Sequence, residues 1–271
     1  MGVQLLTMIN TIRQVYQDLQ IYGPYCIEET KATLHSEVSS TRLNWLWWIL
    51  TPLLQMLVYV VIFGYVFRAR TEYYPAYIFI GLTAWRFFAS MLSSSAKLIR
   101  SNRPILCKVY IPSFLLVLTR MLSNGFKMLV SFGIVLVLLL WYRIPPSFTL
   151  FQLIPLLFLL WLITFGLSAC IAHIGVYWED VNDLLPVLLR LWMYFTGIFY
   201  SIQEKVPGLL GYWLLRLNPL AYTLEGLRQT LLFHEQLAWS WYFLWLGISL
   251  LLCLAGIKTL YRNGSRYLKV G

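Results

Sequence analysis

Apolar runs of membrane-spanning length, separated by short polar segments, make up most of this chain. We predict transmembrane helices at residues 44–67, 76–96, 113–141, 150–174, 184–200 and 241–260. A helix rises about 1.5 Å per residue, so that a hydrocarbon core of about 30 Å needs roughly 20 apolar residues. The fifth run is the shortest of the six. The pattern predicts an all-α membrane protein with six transmembrane helices in one transmembrane domain over residues 44–271.

Residues 1–43 contain no apolar run long enough to span a membrane. Apolar side chains recur at helical spacing at Ile12, Val15, Tyr16, Leu19 and Tyr22. This periodicity predicts an amphipathic helix lying at the cytoplasmic surface of the membrane. We expect Gly23-Pro24 to break it and a second polar helix to follow. A cytoplasmic arm without membrane contact is the alternative.

Residues 201–240 match neither a span nor a simple loop. Glycines and prolines interrupt this segment, yet it also contains Trp213, Leu214, Leu215 and Leu217. Irregular backbone is tolerated at membrane depth only where protein buries its polar groups. We therefore predict two short re-entrant helices that dip into the outer leaflet before the last span.

Charged residues are few and lie mostly at the ends of the predicted spans. They make up 12% of the chain, against about a quarter in soluble domains, and 59% of the residues are hydrophobic. The net charge is +10, but no contiguous basic face is evident, which argues against a nucleic-acid partner. Lys and Arg are more numerous on the side that holds both termini. By the positive-inside rule, both termini are predicted to be cytoplasmic.

Residue types that would carry catalysis or bind a metal are scattered. The four cysteines lie far apart, and His35, His173 and His234 form no ligand cluster. The spans contain no nucleophile–base pair or paired carboxylates, and the chain has no GxxxxGKS/T phosphate-binding loop. We expect no metal, no cofactor and no enzymatic activity in this chain alone. If this chain takes part in driven transport, the energy would come from another protein.

Two consecutive predicted spans carry cations on polar stripes. The second span has Thr83, Arg86 and Ser90 on one face, and the third has Arg120 and Lys127 two turns apart. An intramembrane cation is costly unless it is paired or hydrated. The stripes are therefore candidates for a face of a substrate channel that attracts an anion. Ordinary helix packing through small polar residues is the alternative.

Aromatic side chains are concentrated within and at the ends of the first and fifth predicted spans. Those assigned to a candidate substrate channel are Tyr59, Tyr194, Phe195 and Tyr200. Aromatic faces bind sugar rings because they combine apolar area with a polar edge. Contact with lipid, or packing in the protein core, is the alternative for each of them.

A short basic segment, Lys97–Pro112, connects the second and third predicted spans. Its cations place it on the cytoplasmic side. Ser101-Asn102 can cap a short helix there, and Pro104 suits the first turn of that helix. Two interpretations are open: a solvated hairpin that obeys the positive-inside rule, or a docking element for a cytoplasmic partner.

The segment Asn102–Pro112, NRPILCKVYIP, closely resembles a motif of type-2 ABC exporter permeases, in the branch that exports polysaccharides and teichoic acids. Three other segments agree with that family in order and spacing: residues 40–52, residues 178–183, and LNPL at 217–220 with the later Glu225 and Arg228. Two positions depart from the pattern, with Asn44 where Gly is usual and Glu179 where Arg is common.

The resemblance implies a permease subunit that forms a homodimer and pairs with two copies of a separate ABC subunit, which would bind ATP and Mg²⁺. The basic loop would be a coupling helix seated in that subunit, and the acidic loop before the fifth span a second contact. The residues implied in coupling are Asn102, Arg103, Pro104, Lys108, Tyr110 and Asp180. The first and fifth spans would line the channel. The residues implied in an outer gate are Pro207, Asn218, Pro219, Glu225 and Arg228.

The implied cargo is a lipid-linked anionic polymer that crosses the bacterial cytoplasmic membrane. It would be wall teichoic acid, or an O-antigen-like or capsule-like polysaccharide, on undecaprenyl pyrophosphate. One alternative is an exporter of the same fold for a drug or a small lipid. Another is a membrane-embedded lipid-acting transferase using Glu225, Arg228, His234 and Glu235. The last alternative is a purely structural membrane scaffold.

Overall fold

The structure, a computed structural model, describes residues 2–39, 43, 45–68, 71–206 and 208–267, without the side chains of residues 2–12 and 204. Within these ranges the chain is helical and contains no strand. The helices are α1 Gly2–Ser39, α2 Leu46–Tyr59, α3 Tyr74–Ser101, α4 Arg103–Leu106, α5 Ser113–Trp141, α6 Leu153–Tyr177, α7 Val181–Phe195, α8 Ile202–Lys205, α9 Gly208–Leu217, α10 Pro219–Arg228 and α11 Trp239–Tyr267. A π-helical stretch, Val60–Val66, extends α2, and another, Gln229–Phe233, extends α10.

Five helical stretches of the described chain are long and apolar enough to cross a membrane. They are Leu46–Val66, Tyr74–Ser101, Ser113–Trp141, Phe148–Tyr177 and Trp239–Tyr267. They correspond to the predicted spans at 44–67, 76–96, 113–141, 150–174 and 241–260. The predicted span 184–200 is different, because α7 has 15 residues and a length of about 22 Å. The all-helical membrane fold is confirmed, whereas the count of six spans is not.

The path of the chain nevertheless connects opposite ends of the bundle between α6 and α11. We call the end that carries α4 the hairpin end and the other the far end. The last turn of α6 lies at the hairpin end, where Val176 O accepts a hydrogen bond from Arg100 Nη2 at 2.9 Å. The start of α11 lies at the far end, where Leu237 N donates to Gln152 Oε1 at 3.0 Å. The connection from α6 to α11 therefore begins at the hairpin end and finishes at the far end, and α7 covers only part of that distance.

Helix α3 is the centre of the molecule. In its most apolar window 78% of the residues are buried, against 6% for Leu46–Val66. It packs against α2, α5, α6, α7 and α10. Its closest backbone approach is to α6, where a Cβ on Gly175 would lie 2.1 Å from the carbonyl oxygen of Ala96. Glycine is needed at that position because only its missing side chain lets the two helices touch.

Helix α1 is continuous from Gly2 to Ser39 and runs through Pro24, so the predicted break at Gly23-Pro24 is wrong. A proline removes one helical hydrogen bond, but tertiary packing on both sides of it can hold the helix together. At the hairpin end, Tyr261 Oη of α11 donates to Asp18 Oδ2, and Cys26 is buried at 3% exposure. Toward its C-terminal end, α1 packs against α5.

The segment before the last span consists of three short helices rather than two. Helix α10 is buried, with Leu220, Thr223, Leu224 and Leu227 enclosed by α3 and α6. Helix α9 lies at the periphery and exposes Leu209, Leu210 and Leu217. The rest of the subunit therefore covers α10 but leaves one side of α9 exposed.

Candidate functional site

The connection between α3 and α5 is a compact hairpin with a single helical turn, α4. Leu106 and Ile111 are buried and anchor it, whereas Ile105, Val109 and Tyr110 are exposed. Pro104 lies in the first turn of α4, as predicted. Asn102 stands at the N-cap position, but its Nδ2 turns back and donates to Leu98 O at 2.8 Å, so it closes α3 instead of capping α4. The hairpin thus presents apolar side chains together with the exposed Lys108.

The acidic loop after α6 lies beside this hairpin. Glu179 Oε2 is 3.0 Å from Arg100 Nη1 at the end of α3. Asp180 lies at the N-cap position, just before α7, and its Oδ2 accepts a hydrogen bond at 3.1 Å from Trp178 Nε1. Both predicted coupling segments therefore lie at the same end of the bundle.

The polar stripes of α3 and α5 face each other across a cavity of about 230 Å³. Ser90 Oγ donates to Asn124 Oδ1 at 3.0 Å and joins the two helices. Arg86 Nη1 donates to Gln55 Oε1 of α2 at 3.2 Å. Thr83 Oγ1 is buried in the cavity wall and has no hydrogen-bond partner among the described residues. The cavity therefore combines one arginine with an unsatisfied hydroxyl.

Lys127 lines the same cavity, but it is neutralised by an acid that the sequence did not place there. Its Nζ lies 3.0 Å from Glu37 Oε2, at the end of α1. Since Lys127 is near the middle of α5, α1 reaches from the hairpin end to about half the depth of α5. Arg120 does not line this cavity.

The predicted channel aromatics meet at the far end of α2. Tyr59 and Phe63 lie on the ring of Phe199, with centroid distances of 4.5 and 4.8 Å. Tyr194 is 5.9 Å from the same ring, and Tyr200 Oη donates to Tyr194 O at 2.9 Å. Phe195 is 58% exposed and lines a different, apolar groove against α9. The structure therefore brings together three of the four predicted aromatics and separates Phe195 from them.

Asn218-Pro219 starts α10 and ties it to α7. Asn218 Oδ1 accepts from Leu220 N at 3.1 Å, which is an N-cap bond, and Pro219 occupies the first turn, where its missing N–H is harmless. The same oxygen accepts from Trp192 Nε1 at 3.2 Å. The predicted gate residue Pro207 lies outside the described residues.

Arg228 is the largest fully buried side chain of the described chain, at 1% exposure. Its guanidinium donates to Gly197 O, Ile198 O and Tyr77 Oη at 2.8 to 2.9 Å, and its Nη1 is 3.6 Å from Glu225 Oε2. The guanidinium carbon also stands 3.6 Å from the centroid of the Tyr77 ring. Arg228 therefore fastens α10 to α3 and to the turn after α7, and it offers no open guanidinium to a lipid-acting transferase.

Comparison with known proteins places the chain in a family. A model described as ABC-2 type transporter matches residues 28–232. The chain belongs to the ABC-2 type transporter family. It is 29% identical over 215 residues to an O-antigen export system permease protein RfbA of Myxococcus xanthus, covering 79% of this chain and 80% of that protein. It is 28% identical over 193 residues to a protein of the same name from Klebsiella pneumoniae, covering 71% and 74%.

A more distant relative is the polysialic acid transport protein KpsM of Escherichia coli. This ABC-2 transporter chain is 25% identical to it over 198 residues, covering 70% of this chain and 74% of KpsM. The resemblance to type-2 ABC permeases that the motifs indicated is therefore confirmed. Among the described residues of this ABC-2 chain, no three His, Cys, Asp or Glu side chains are grouped as metal ligands.

Sequence patterns missed the partners that distant helices of this ABC-2 chain supply to Lys127, Arg86 and Arg228. Glu37 was assigned to a surface segment, and Gln55 and Tyr77 carried no charge that would single them out. One available signal was Gly81 inside an apolar span. A Cβ there would lie 2.5 Å from Arg228 Nη2, so the glycine leaves room for the guanidinium.

The cysteines of this ABC-2 chain allow the hairpin to be probed directly. Cys107 is exposed beside α4, whereas Cys26 is buried in α1, and burial raises the pKa of its thiol. Because the thiolate is the reactive form, we expect a membrane-impermeant maleimide to label Cys107 more than about tenfold faster than Cys26. Single-cysteine variants in membranes opened to expose both faces measure the two rates, and a chain with all four cysteines replaced gives the background. Equal rates would contradict the hairpin geometry.

Proposed function

We propose that this chain is the permease subunit of an ATP-driven exporter that moves a lipid-linked polymer across the bacterial cytoplasmic membrane. The family match and the names of the relatives, O-antigen export permeases and a polysialic acid transport protein, support the class of cargo. The cargo would be an undecaprenyl-pyrophosphate-linked polysaccharide of the O-antigen or capsule type, or a wall teichoic acid. The observation that carries the proposal is the exposed apolar and basic hairpin at α4.

The hairpin is the docking element for a separate ATP-binding subunit. Exposed apolar side chains outside a membrane span mark interaction sites, and here Ile105, Val109 and Tyr110 project while Leu106 and Ile111 hold the turn in place. Asp180 and its loop supply a second contact at the same end. Since the 271 residues contain no phosphate-binding loop of the GxxxxGKS/T type, ATP and Mg²⁺ belong to the partner.

The hairpin end faces the cytoplasm, and both termini lie there. The contact of Tyr261 with Asp18 brings the C-terminal part of α11 and the middle of α1 together on that side. The cations of the hairpin then orient this end toward the cytoplasm by the positive-inside rule. The sixth crossing is completed by α7 together with the turn and the short helices that follow it. Residues 208–228 then lie at the outer mouth, where Arg228 and Asn218 hold the segment in register.

Two copies of the chain form the channel. Helices α2 and α7 leave their outward faces uncovered by the rest of the subunit, and the far-end aromatics Tyr59, Tyr194 and Tyr200 lie near the ends of these two helices. Their rings offer apolar faces to successive sugars. Arg86 is the channel cation with an open cavity beside it, whereas Lys127 is already paired with Glu37.

The test is transport in a purified system. The chain is reconstituted into liposomes with and without its ATP-binding partner, and the appearance of a short lipid-linked glycan on the opposite face is measured. We expect transport only with the partner and with hydrolysable ATP. Transport at the same rate by the chain alone would end the proposal.

A further inference from the structure

A basic groove lies between α6 and α11 at the hairpin end. It encloses about 600 Å³, and its lining includes Lys258, Arg262 and Arg266 of α11 together with His173 and Tyr177 of α6. None of the proposed coupling, channel or gate residues lines it. The groove therefore requires an explanation of its own.

The three cations are spaced so that they repel one another. Residues 258, 262 and 266 follow each other at intervals of four on one face of a helix, where like charges destabilise. Within the described part of the chain, none of them forms an ion pair with a carboxylate, and no Asp or Glu lines the groove. An anion seated in the groove would remove this repulsion.

The same face of α11 continues toward the far end as an apolar row. Leu244, Ile248 and Leu251 are exposed there, one or two turns apart, and Lys258 follows about 10 Å farther along the helix. An acyl chain packs along such a row, and a phosphate is attracted by such cations. This order of apolar and basic residues favours a lipid over a soluble anion.

The walls of the groove are held in place by contacts behind the cations. His173 Nδ1 and Tyr267 Oη are 2.7 Å apart, and the ring of Tyr177 packs edge-on against that of Tyr267 at 6.3 Å. Asn263 Nδ2 donates to Thr259 O at 2.9 Å. The site is thus formed in advance of ligand binding, which lowers the entropic cost of binding.

We propose that this groove binds the phosphate of an anionic phospholipid from the leaflet at the hairpin end. The lipid's acyl chains lie along the apolar row of α11, and its phosphate contacts Lys258, Arg262 and Arg266. The site is separate from the proposed export path. The proposed membrane orientation enters only in deciding which leaflet supplies the lipid.

The test is lipid binding by the full-length chain in neutral detergent. Phosphatidylglycerol is titrated, and its affinity is read from the rise in Tm with lipid concentration. Because each cation near an anionic lipid contributes about fivefold, the triple variant Lys258→Gln, Arg262→Gln, Arg266→Gln should bind about 100-fold more weakly. Phosphatidylcholine and inorganic phosphate should leave the Tm of the wild-type chain unchanged.

The matched control removes the same number of charges elsewhere at the hairpin end, in Arg13→Gln, Lys97→Gln, Lys108→Gln. It should keep the wild-type response to phosphatidylglycerol. If the triple variant fails to fold, Arg262→Gln alone, with about a fivefold loss, takes its place. The proposal is overturned if the groove variants bind phosphatidylglycerol like the wild-type chain, if the control loses as much, or if inorganic phosphate reproduces the effect. A wild-type chain that keeps the lipid response but does not export, even with its ATP-binding partner and ATP, would overturn only the proposed function.

Discussion

Replacing Arg228 by alanine is expected to prevent most of the protein from folding. The substitution leaves the carbonyls of Gly197 and Ile198 without their donor in a buried site and removes the cation that lies 3.6 Å from Glu225 Oε2. Breaking a buried ion pair by removing one partner costs about 3–5 kcal/mol, and each buried acceptor left unpaired adds about 1–3 kcal/mol. That is comparable to the whole stability of an ordinary domain, about 5–15 kcal/mol. The measurement is the yield of monodisperse protein in detergent and its Tm.

Two further variants separate the role of the Arg228 contacts from loss of charge alone. Arg228→Lys keeps the charge but cannot reach all the acceptors at once, so it should also lower the Tm strongly. Gly81→Ala places a methyl group against Nη2 and should act in the same direction, with a smaller effect. Arg190→Ala on the exposed face of α7 is the control and should change little. A stable, monodisperse Arg228→Ala protein would show that these contacts do not hold α10 in place.

Reversing two charges on the hairpin, in Arg103→Glu with Lys108→Glu, is expected to abolish export while the chain still folds and inserts. The buried anchors Leu106 and Ile111 are untouched, and Lys108 is exposed. Placing like charges opposite each other in an interface costs several kcal/mol, which corresponds to an affinity loss of about 100-fold or more. Co-purification of the ATP-binding subunit and stimulation of its ATPase measure the loss.

The matched control reverses the same number of charges at the far end, in Arg143→Glu with Lys205→Glu. Both side chains are exposed there, so that net charge changes equally while the hairpin is intact. The control should keep the partner and its ATPase stimulation. Full export by the hairpin variant would show that the partner docks somewhere else.

Local patterns in the sequence predicted the elements whose energetics are local. Five of the spans and the short turn at Pro104 follow from apolar length and from the restricted φ of proline. The NRPILCKVYIP segment also indicated the family by its residues alone, because its motif is contiguous in the chain.

The sequence was least reliable where local preference competes with distant contacts. Gly23-Pro24 favours a break, but the packing of α1 against α5 keeps the helix continuous. The run 184–200 is apolar enough for a span, but the turn after Phe195 is fastened by Arg228, and α7 ends there. Lys127 was a candidate anion site, but in the structure it forms an ion pair with Glu37 of α1.

The sequence by itself determined that this chain is a helical membrane protein of the ABC-2 family with a basic hairpin at one end. Apolar length and charge position are properties of single segments, and the bilayer acts on each segment separately. Only the tertiary structure decided which cations are paired, which glycines allow helices to touch, and how α10 is held. Those outcomes depend on contacts between residues as distant as Tyr77 and Arg228, and no local pattern encodes the distance between them.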